Sequence, residues 1–273
     1  MRRLPPVSLT VGALLVGAVA IAALVSLVWT PHPYAAIDVA RKFAAPGAVH
    51  WLGTDQLGRD VVSQLMAGAR NSMAIALVSV LLGGSAGVVL GLVASAWGGW
   101  VENAVMRLAD FSFAFPALLF AIMLAAVFGP SLSNAVLAIA FINVPIFARV
   151  TRAAANQIWT REYVLAARAG GRGDLAITFD HIVPNIMAPI IVQATIEFAV
   201  AILAEAALSY LGLGVQPPAP SWGRMLSEAQ TLLFLAPQLA IYPGLCIVAA
   251  VLGFNLLGDG LRDLTDPRLN GTR

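Results

Sequence analysis

Apolar residues are concentrated in six stretches of this chain, each long enough to cross a bilayer as a helix. A hydrocarbon core of about 30 Å needs about 20 apolar residues per helix. Polar segments that contain Gly and Pro separate the stretches. The pattern predicts an all-α integral membrane protein with six transmembrane helices, at roughly residues 9–29, 73–96, 105–128, 132–149, 186–208 and 232–257.

The composition supports a membrane protein over a soluble enzyme. Hydrophobic residues make up 59% of the 273 residues and charged residues only 11%. A soluble domain has about 25% charged residues, and fewer cannot coat its surface. The single cysteine, Cys246, excludes an internal disulfide and a multi-cysteine metal site. The basic residues are scattered rather than clustered, so no nucleic-acid partner is expected.

The distribution of basic residues predicts the orientation of the chain. The first apolar stretch is too long for the core of a signal peptide and is interpreted as an uncleaved helix. With the N-terminus inside, eleven of the 16 Lys and Arg residues lie on the cytoplasmic side. Both termini are therefore predicted to be cytoplasmic. The predicted units are a first helix and outer loop (1–72), a five-helix core (73–257) with a cytoplasmic loop at 150–185, and a cytoplasmic tail (258–273).

Motifs for chemistry are sparse. The only lysine, Lys42, does not belong to a P-loop, so no ATP site of that type is predicted in this chain. Ser85 lies in a Gly-x-Ser-x-Gly pattern, which leaves an intramembrane serine hydrolase as an unfavoured alternative. Gly83, Gly87 and Gly91 recur at four-residue spacing, which instead favours close helix–helix packing in lipid.

Ionisable residues within apolar stretches are candidates for a transport pathway. Asp110 and Glu205 lie near the ends of their helices and are expected to be hydrated or paired. Glu197 lies deeper, and it is left open whether it makes a polar contact between helices or lines a pathway. His32 and His50 lie outside, but without a third ligand they are a poor metal site, and no metal is predicted.

The cytoplasmic loop has a distinct pattern between residues 161 and 184. Helix propensity predicts a short helix from Glu162 to Ala169, ended by glycines. A second short helix is predicted to run to Val183 and to stop at Pro184. Val164, Leu165 and Phe179 are expected to be exposed in this hairpin. Apolar side chains on a short helix suit docking into a groove on another protein.

This loop resembles the EAA signature of permease subunits in binding-protein-dependent ABC importers. The signature is Glu-Ala-Ala, three residues, Gly, and a Pro thirteen residues later. Leu165 stands in the place of its Glu, and Glu162 lies one turn earlier. The positions assigned to ATPase coupling by this resemblance are Glu162, Leu165, Ala166, Ala167, Gly171 and Pro184.

Three further segments are similar to the second, C-type permease of the dipeptide, oligopeptide and nickel importers. They are Trp51-Leu52-Gly53-Thr54-Asp55-Gln56-Leu57-Gly58-Arg59-Asp60, the run from Glu205 to Gly214, and Asn255 to Asp263 with Asp266-Pro267-Arg268. The first segment is predicted to form a capped turn rather than a substrate site. The residues expected to make its local hydrogen bonds are Thr54, Asp55, Arg59 and Asp60.

The resemblance implies the type I ABC importer permease fold and a set of partners. These are a homologous permease in a heterodimer, two ATP-binding subunits that hold ATP and Mg²⁺, and an extracytoplasmic solute-binding protein. It also implies a bacterial inner membrane location and no enzyme activity or cofactor in this chain. Peptides are the expected cargo, with nickel, glutathione or an opine as alternatives. A secondary transporter is a further alternative, but it would leave the patterned loop without a role.

Overall fold

The computed structural model describes residues 6–265, and this part of the chain is helical with no β-strand. The ten helices are α1 (Val7–Val25), α2 (Val61–Trp97), α3 (Gly99–Ala114), α4 (Ala117–Phe128), α5 (Leu132–Trp159), α6 (Glu162–Ala169), α7 (Asp174–Ile177), α8 (Val183–Tyr210), α9 (Trp222–Ala229) and α10 (Gln238–Thr265). Short 3₁₀ turns cover Val39–Arg41 and Gln230–Leu232, and a π turn covers Thr178–Ile182.

Five helices are long and apolar enough to span a membrane, and a bent pair is the sixth candidate. The predicted single helix at 105–128 is wrong in detail, because α3 and α4 meet at an angle of 81°. Pro116 has no N–H to continue the helix, and it holds Phe115 in an extended conformation. α4 has 12 residues and is about 18 Å long, so it cannot cross the bilayer by itself.

Most helices run beyond their apolar stretches. α2 begins at Val61, so the predicted boundary at residue 72 falls inside it, and its 37 residues are about 55 Å long. α10 extends to Thr265, so residues 258–265 of the predicted tail are helical. Arg2, Arg3 and the Asp266-Pro267-Arg268 motif lie outside the described residues.

The glycine stripe of α2 lies directly against the backbone of α5. A Cβ atom on Gly83 would lie 2.2 Å from the Ala140 carbonyl oxygen. At Gly87 the same distance to the Val144 oxygen is 2.4 Å, and at Gly91 the distance to the Ala148 oxygen is 2.6 Å. These separations are far below van der Waals contact, so only glycine permits the observed approach of the two helices.

Two smaller packing units complete the bundle. α1 lies along α10, where a Cβ on Gly12 would be 2.5 Å from the Leu257 nitrogen. α9 packs on α2 and α8 through Trp222, whose side chain is buried and whose indole N–H donates to the Leu65 carbonyl at 3.1 Å. The result places the start of α2 beside α9, and the end of α2 beside the end of α5.

We expect Gly87→Leu to destabilise the protein, because the new side chain would overlap the α5 backbone at Val144. Overpacking typically costs about 1–3 kcal/mol and more where backbone must move, so the midpoint of thermal unfolding in detergent should fall by several degrees. Gly17→Leu in α1 is the matched control, since a Cβ there meets no atom within 4 Å. An unchanged midpoint for Gly87→Leu would contradict the packing role of the stripe.

Candidate functional site: the helical segment between α5 and α8

The segment from residue 161 to residue 182, called here the α6–α7 segment, joins the ends of α5 and α8. α6 ends in a Schellman arrangement, in which the Gly171 N–H donates to the Arg168 carbonyl and the Arg172 N–H to the Ala167 carbonyl. Gly171 has φ of +83°, a conformation that favours glycine. The glycine expected to end the helix therefore has the backbone conformation that reverses the chain.

Pro184 does not end a second short helix, contrary to the sequence prediction. It lies in the first turn of α8, and the chain is helical from Asp174 to Tyr210 through the π turn. Proline is tolerated in a first turn because its missing N–H would have no intrahelical partner there. Just before Pro184, the Val183 N–H donates to the Thr178 carbonyl, five residues earlier, which is the hydrogen-bond spacing of a π turn.

Val164 was expected to be exposed and is instead 1% exposed. It packs in a cluster with Ala155 of α5, Ile177 of α7, Ile182 of the π turn and Ile186 of α8. This cluster attaches α6 to the ends of two long helices. Sequence analysis missed it because the partners of Val164 come from separate elements of the chain.

The opposite face of the α6–α7 segment is apolar and exposed. Its large apolar side chains are more than two-fifths exposed, namely Tyr163, Leu165, Leu175 and Phe179. Of the signature positions, Glu162 begins α6, Ala166 is exposed, Ala167 packs at the edge of the buried cluster, and Pro184 is exposed. The signature residues therefore divide between an anchored face and an accessible one.

Ion pairs within the segment connect α6 and the glycine turn to the helical residues that follow. Arg168 donates to Asp174 at 2.7 Å, across the glycine turn, and its guanidinium lies 5.3 Å from the centre of the Trp159 ring. Arg172 pairs with Asp180. Exposed pairs of this kind each contribute little stability, so the buried cluster remains the main attachment.

The acidic residues of the apolar stretches have identifiable partners. Asp110 pairs with Arg149 of α5. Glu197 is 6% exposed and accepts from the Gln193 amide, one turn earlier in α8, at 2.7 Å. Glu205 is fully buried, and its Oε1 accepts from the Ser209 hydroxyl at 2.6 Å.

Ser85 lacks the surroundings of a serine nucleophile. It lies inside α2, where its hydroxyl donates to the Leu82 carbonyl at 3.2 Å. A nucleophile elbow requires a strand before the serine and a helix after it. The helical setting of Ser85 removes the structural basis of the hydrolase alternative.

At the other end of α2, the capped turn predicted at 51–60 is confirmed. Asp60 caps α2 by accepting from the Ser63 N–H at 2.8 Å. Asp55 accepts from the backbone N–H groups of Leu57 and Arg59 at 2.8 and 2.9 Å. It also accepts from the side chains of Arg59 and Gln64, at 2.6 and 2.9 Å.

Arg59 extends this network to α9. Its guanidinium donates to Glu228 at 2.6 Å, a contact between residues 169 positions apart that no local pattern could reveal. Burial alone would lower the pKa of Arg59, but the carboxylates of Asp55 and Glu228 outweigh burial and raise it. The guanidinium therefore stays charged and holds the turn against α9.

Two histidines meet Asp60 at this end of α2. The rings of His32 and His50 are tilted by 37° with their centres 4.5 Å apart, and Nδ1 of each ring faces the Asp60 carboxylate. No local sequence pattern places Asp60 beside the two histidines, and its position at the N-cap of α2 accounts for its conformation without them.

Comparison with known proteins identifies the family. The model of the family described as "binding-protein-dependent transport system inner membrane component" matches residues 87–271, about two-thirds of the chain. The chain belongs to this family. The matched range includes the α6–α7 segment and the glycines of α2 that contact α5 from Gly87 onward.

Relatives over most of the chain carry transport names. The dipeptide transport system permease protein DppC of Alkalihalophilus pseudofirmus is 42% identical over 95% of this chain and 85% of its own length. The di/tripeptide permease DppC of Pseudomonas aeruginosa is 48% identical over 80% and 72%. The glutathione transport permease GsiD of Pectobacterium atrosepticum is 44% identical over 85% and 77%.

Solved structures with the same fold include chains of the MetNI methionine ABC transporter in inward-facing conformations. One has a TM-score of 0.61 at 20% identity and covers 74% of this chain and 97% of that chain. A second has a TM-score of 0.62 at 19% identity, with the same coverage. The predicted type I ABC importer permease fold is thereby confirmed.

We expect Asp55→Ala to lower the yield and stability of the folded protein. The change removes four hydrogen bonds and leaves Arg59, whose side chain is 13% exposed, with only one of its two carboxylate partners. Removing one partner of a buried ion pair lowers the free energy of unfolding by about 3–5 kcal/mol. The loss should appear as a lower midpoint of thermal unfolding.

Asp38→Ala is the matched control for that variant. The Asp38 carboxylate also accepts a backbone N–H and pairs with an arginine, but its side chain is 49% exposed. Its loss should cost less than about 1 kcal/mol. Normal folding of Asp55→Ala with altered substrate affinity would contradict the structural role of Asp55.

Proposed function

We propose that this chain is a permease subunit of an ATP-driven importer and forms half of the translocation path for peptides. Its membership of the permease family and its two DppC relatives, each named for dipeptides or di/tripeptides, support this assignment. The structural observation that carries the coupling role is the α6–α7 segment, which is anchored on one face by Val164 and apolar and exposed on the other.

The exposed face is the surface on which an ATP-binding subunit would dock. Leu165 and Phe179 are 51% and 69% exposed, which is costly unless a partner or lipid covers them. Because Val164 ties α6 to α5 and α8, a force on the exposed face passes directly into two long helices. The remaining signature positions then hold the docking residues in place. They are Glu162, Ala166, Ala167, Gly171 and Pro184.

The remaining subunits follow from this assignment. A homologous permease completes the path as a heterodimer, two ATP-binding subunits hold ATP and Mg²⁺, and a solute-binding protein delivers cargo. The chain itself would carry no catalytic residue and bind no cofactor. The α6–α7 segment and both termini lie in the cytoplasm in this arrangement, and the 51–60 turn faces outward. Glu197 is buried within the single chain, so we assign it to helix contacts rather than to the path.

Glutathione is the second candidate cargo, because the GsiD relative is 44% identical. Uptake by membrane vesicles that contain the complete importer would decide between the two. A labelled dipeptide should accumulate in an ATP-dependent way, and excess unlabelled dipeptide should compete better than glutathione. Stronger competition by glutathione would reassign the substrate and leave the coupling mechanism unchanged.

We expect Gly171→Val to weaken the coupling by which loaded binding protein stimulates ATP hydrolysis. A β-branched residue at φ of +83° is strained by about 1–3 kcal/mol, and relief of that strain would reorient α6. The variant should insert and pair with the second permease, because Gly171 is outside the bundle. It should lose at least about tenfold of the ATPase stimulation by loaded binding protein, measured in proteoliposomes.

Gly173→Val is the matched control, two residues away. Gly173 has φ of −73°, which valine can adopt, and a Cβ there meets no atom within 4 Å. It should retain stimulated hydrolysis and uptake. Normal stimulation in Gly171→Val would refute the coupling assignment, whereas equal loss in both variants would show that the glycines act through flexibility instead.

A further inference from the structure

We propose that His32, His50 and Asp60 form a binding site for a divalent transition-metal ion, with Zn²⁺ as the reference ion. The inference does not depend on the proposed cargo or on the coupling segment. The three residues come from the segment between α1 and α2 and from the N-cap of α2. One candidate ligand atom from each lies within 4.8 Å of the other two.

The distances within the group are compatible with two co-ligands beside one carboxylate oxygen. The Nδ1 atoms of His50 and His32 lie 2.9 and 3.7 Å from the same oxygen, Oδ1 of Asp60. Ligands of a tetrahedral zinc ion, bound at about 2.0–2.1 Å, are separated by about 3.3 Å, which lies between these two values. With an ion bound, His32 Nδ1 would lie about 0.4 Å closer to Oδ1 than it does here, and His50 Nδ1 about 0.4 Å farther from it.

An unpartnered nitrogen supports a cation over a shared proton. His32 Nδ1 is buried and has no hydrogen-bond partner, and at 3.7 Å from Asp60 it is too distant for one. A proton between His50 Nδ1 and Asp60 Oδ1 satisfies those two atoms and leaves His32 Nδ1, and also His50 Nε2, without a partner. A metal ion bound by Nδ1 of both histidines and Oδ1 of Asp60 gives His32 Nδ1 a partner as well.

The surroundings orient the carboxylate and hold the backbone of His32 beside it. The second oxygen of Asp60 accepts from the backbone N–H and the hydroxyl of Ser63, at 2.8 and 2.7 Å, which leaves Oδ1 directed at the histidines. The same Ser63 hydroxyl accepts from the backbone N–H of His32 at 2.9 Å. Outer contacts of this kind fix ligands in metal sites.

The ligand set also defines the class of ion and its access. Two imidazoles and one carboxylate suit Zn²⁺, Ni²⁺ and Cu²⁺ rather than Mg²⁺ or Ca²⁺. Asp60 and His50 are 1% and 11% exposed in their side chains, whereas His32 is 34% exposed and provides the route of entry. Three protein ligands leave a fourth position for water or an incoming group.

The test is zinc binding by the complete importer, purified with a tag that contains no histidine and stripped with a chelator. We expect the wild-type importer to bind one zinc equivalent per copy of this chain. The His32→Gln variant and the double variant His32→Gln, His50→Gln should both lose it. Since loss of an outer contact alone weakens metal affinity about 10–100-fold, loss of a ligand should weaken it at least as much. His32→Gln should fold, because the His32 side chain makes no hydrogen bond through Nδ1.

His181→Gln is the matched control, since it removes the third histidine, which lies in the α6–α7 segment at the far end of the molecule. It should keep the zinc equivalent. X-ray absorption of the bound zinc should show two imidazoles and oxygen ligands in the wild-type importer. Retention of zinc by correctly folded His32→Gln, equal loss in His181→Gln, or a spectrum without imidazole would overturn the proposal.

Discussion

The close approach of α2 and α5 is the contact on which the rest of this protein depends. In lipid, apolar side chains gain little by leaving their surroundings, so helix pairs are held by dense packing and by polar contacts between backbones. Here glycines spaced by four residues in α2 meet carbonyl oxygens spaced by four residues in α5, at Ala140, Val144 and Ala148. The matched spacing fixes both the separation and the register of the two helices. Every functional feature is then located relative to that pair.

The two ends of the pair have different chemistry. At one end α2 starts at the Asp60 cap, where charged residues and histidines are held by hydrogen bonds to the turn and to α9. At the other end Trp159 lies near Ser95, and α5 continues into the α6–α7 segment, which is held by apolar packing around Val164. Hydrogen bonds and an ion pair hold one end of the pair, and apolar packing holds the other.

Local patterns predicted the features that depend on local physics. The glycine spacing of α2, the positive φ at Gly171 and the cap at Asp60 each follow from residues close together in sequence. Pro116 also indicates a break, since the residue before proline avoids helical conformation. The continuous apolar run around it nevertheless predicts a single helix. Features that join distant segments were missed. The burial of Val164, the Arg59–Glu228 pair and the meeting of both histidines with Asp60 all depend on the tertiary fold.

The signature loop shows why position in a motif does not establish contact with a partner. Val164 and Leu165 are adjacent and both apolar, yet one is 1% exposed and the other 51% exposed, because successive residues of a helix point in directions about 100° apart. Loss of the Val164 side chain would detach α6 from α5 and α8, whereas loss of Leu165 would remove surface available to an ATP-binding subunit. The signature glutamate position is occupied by Leu165, on the exposed face. In the docking that we propose, this position therefore offers apolar contact, where a glutamate would offer charge.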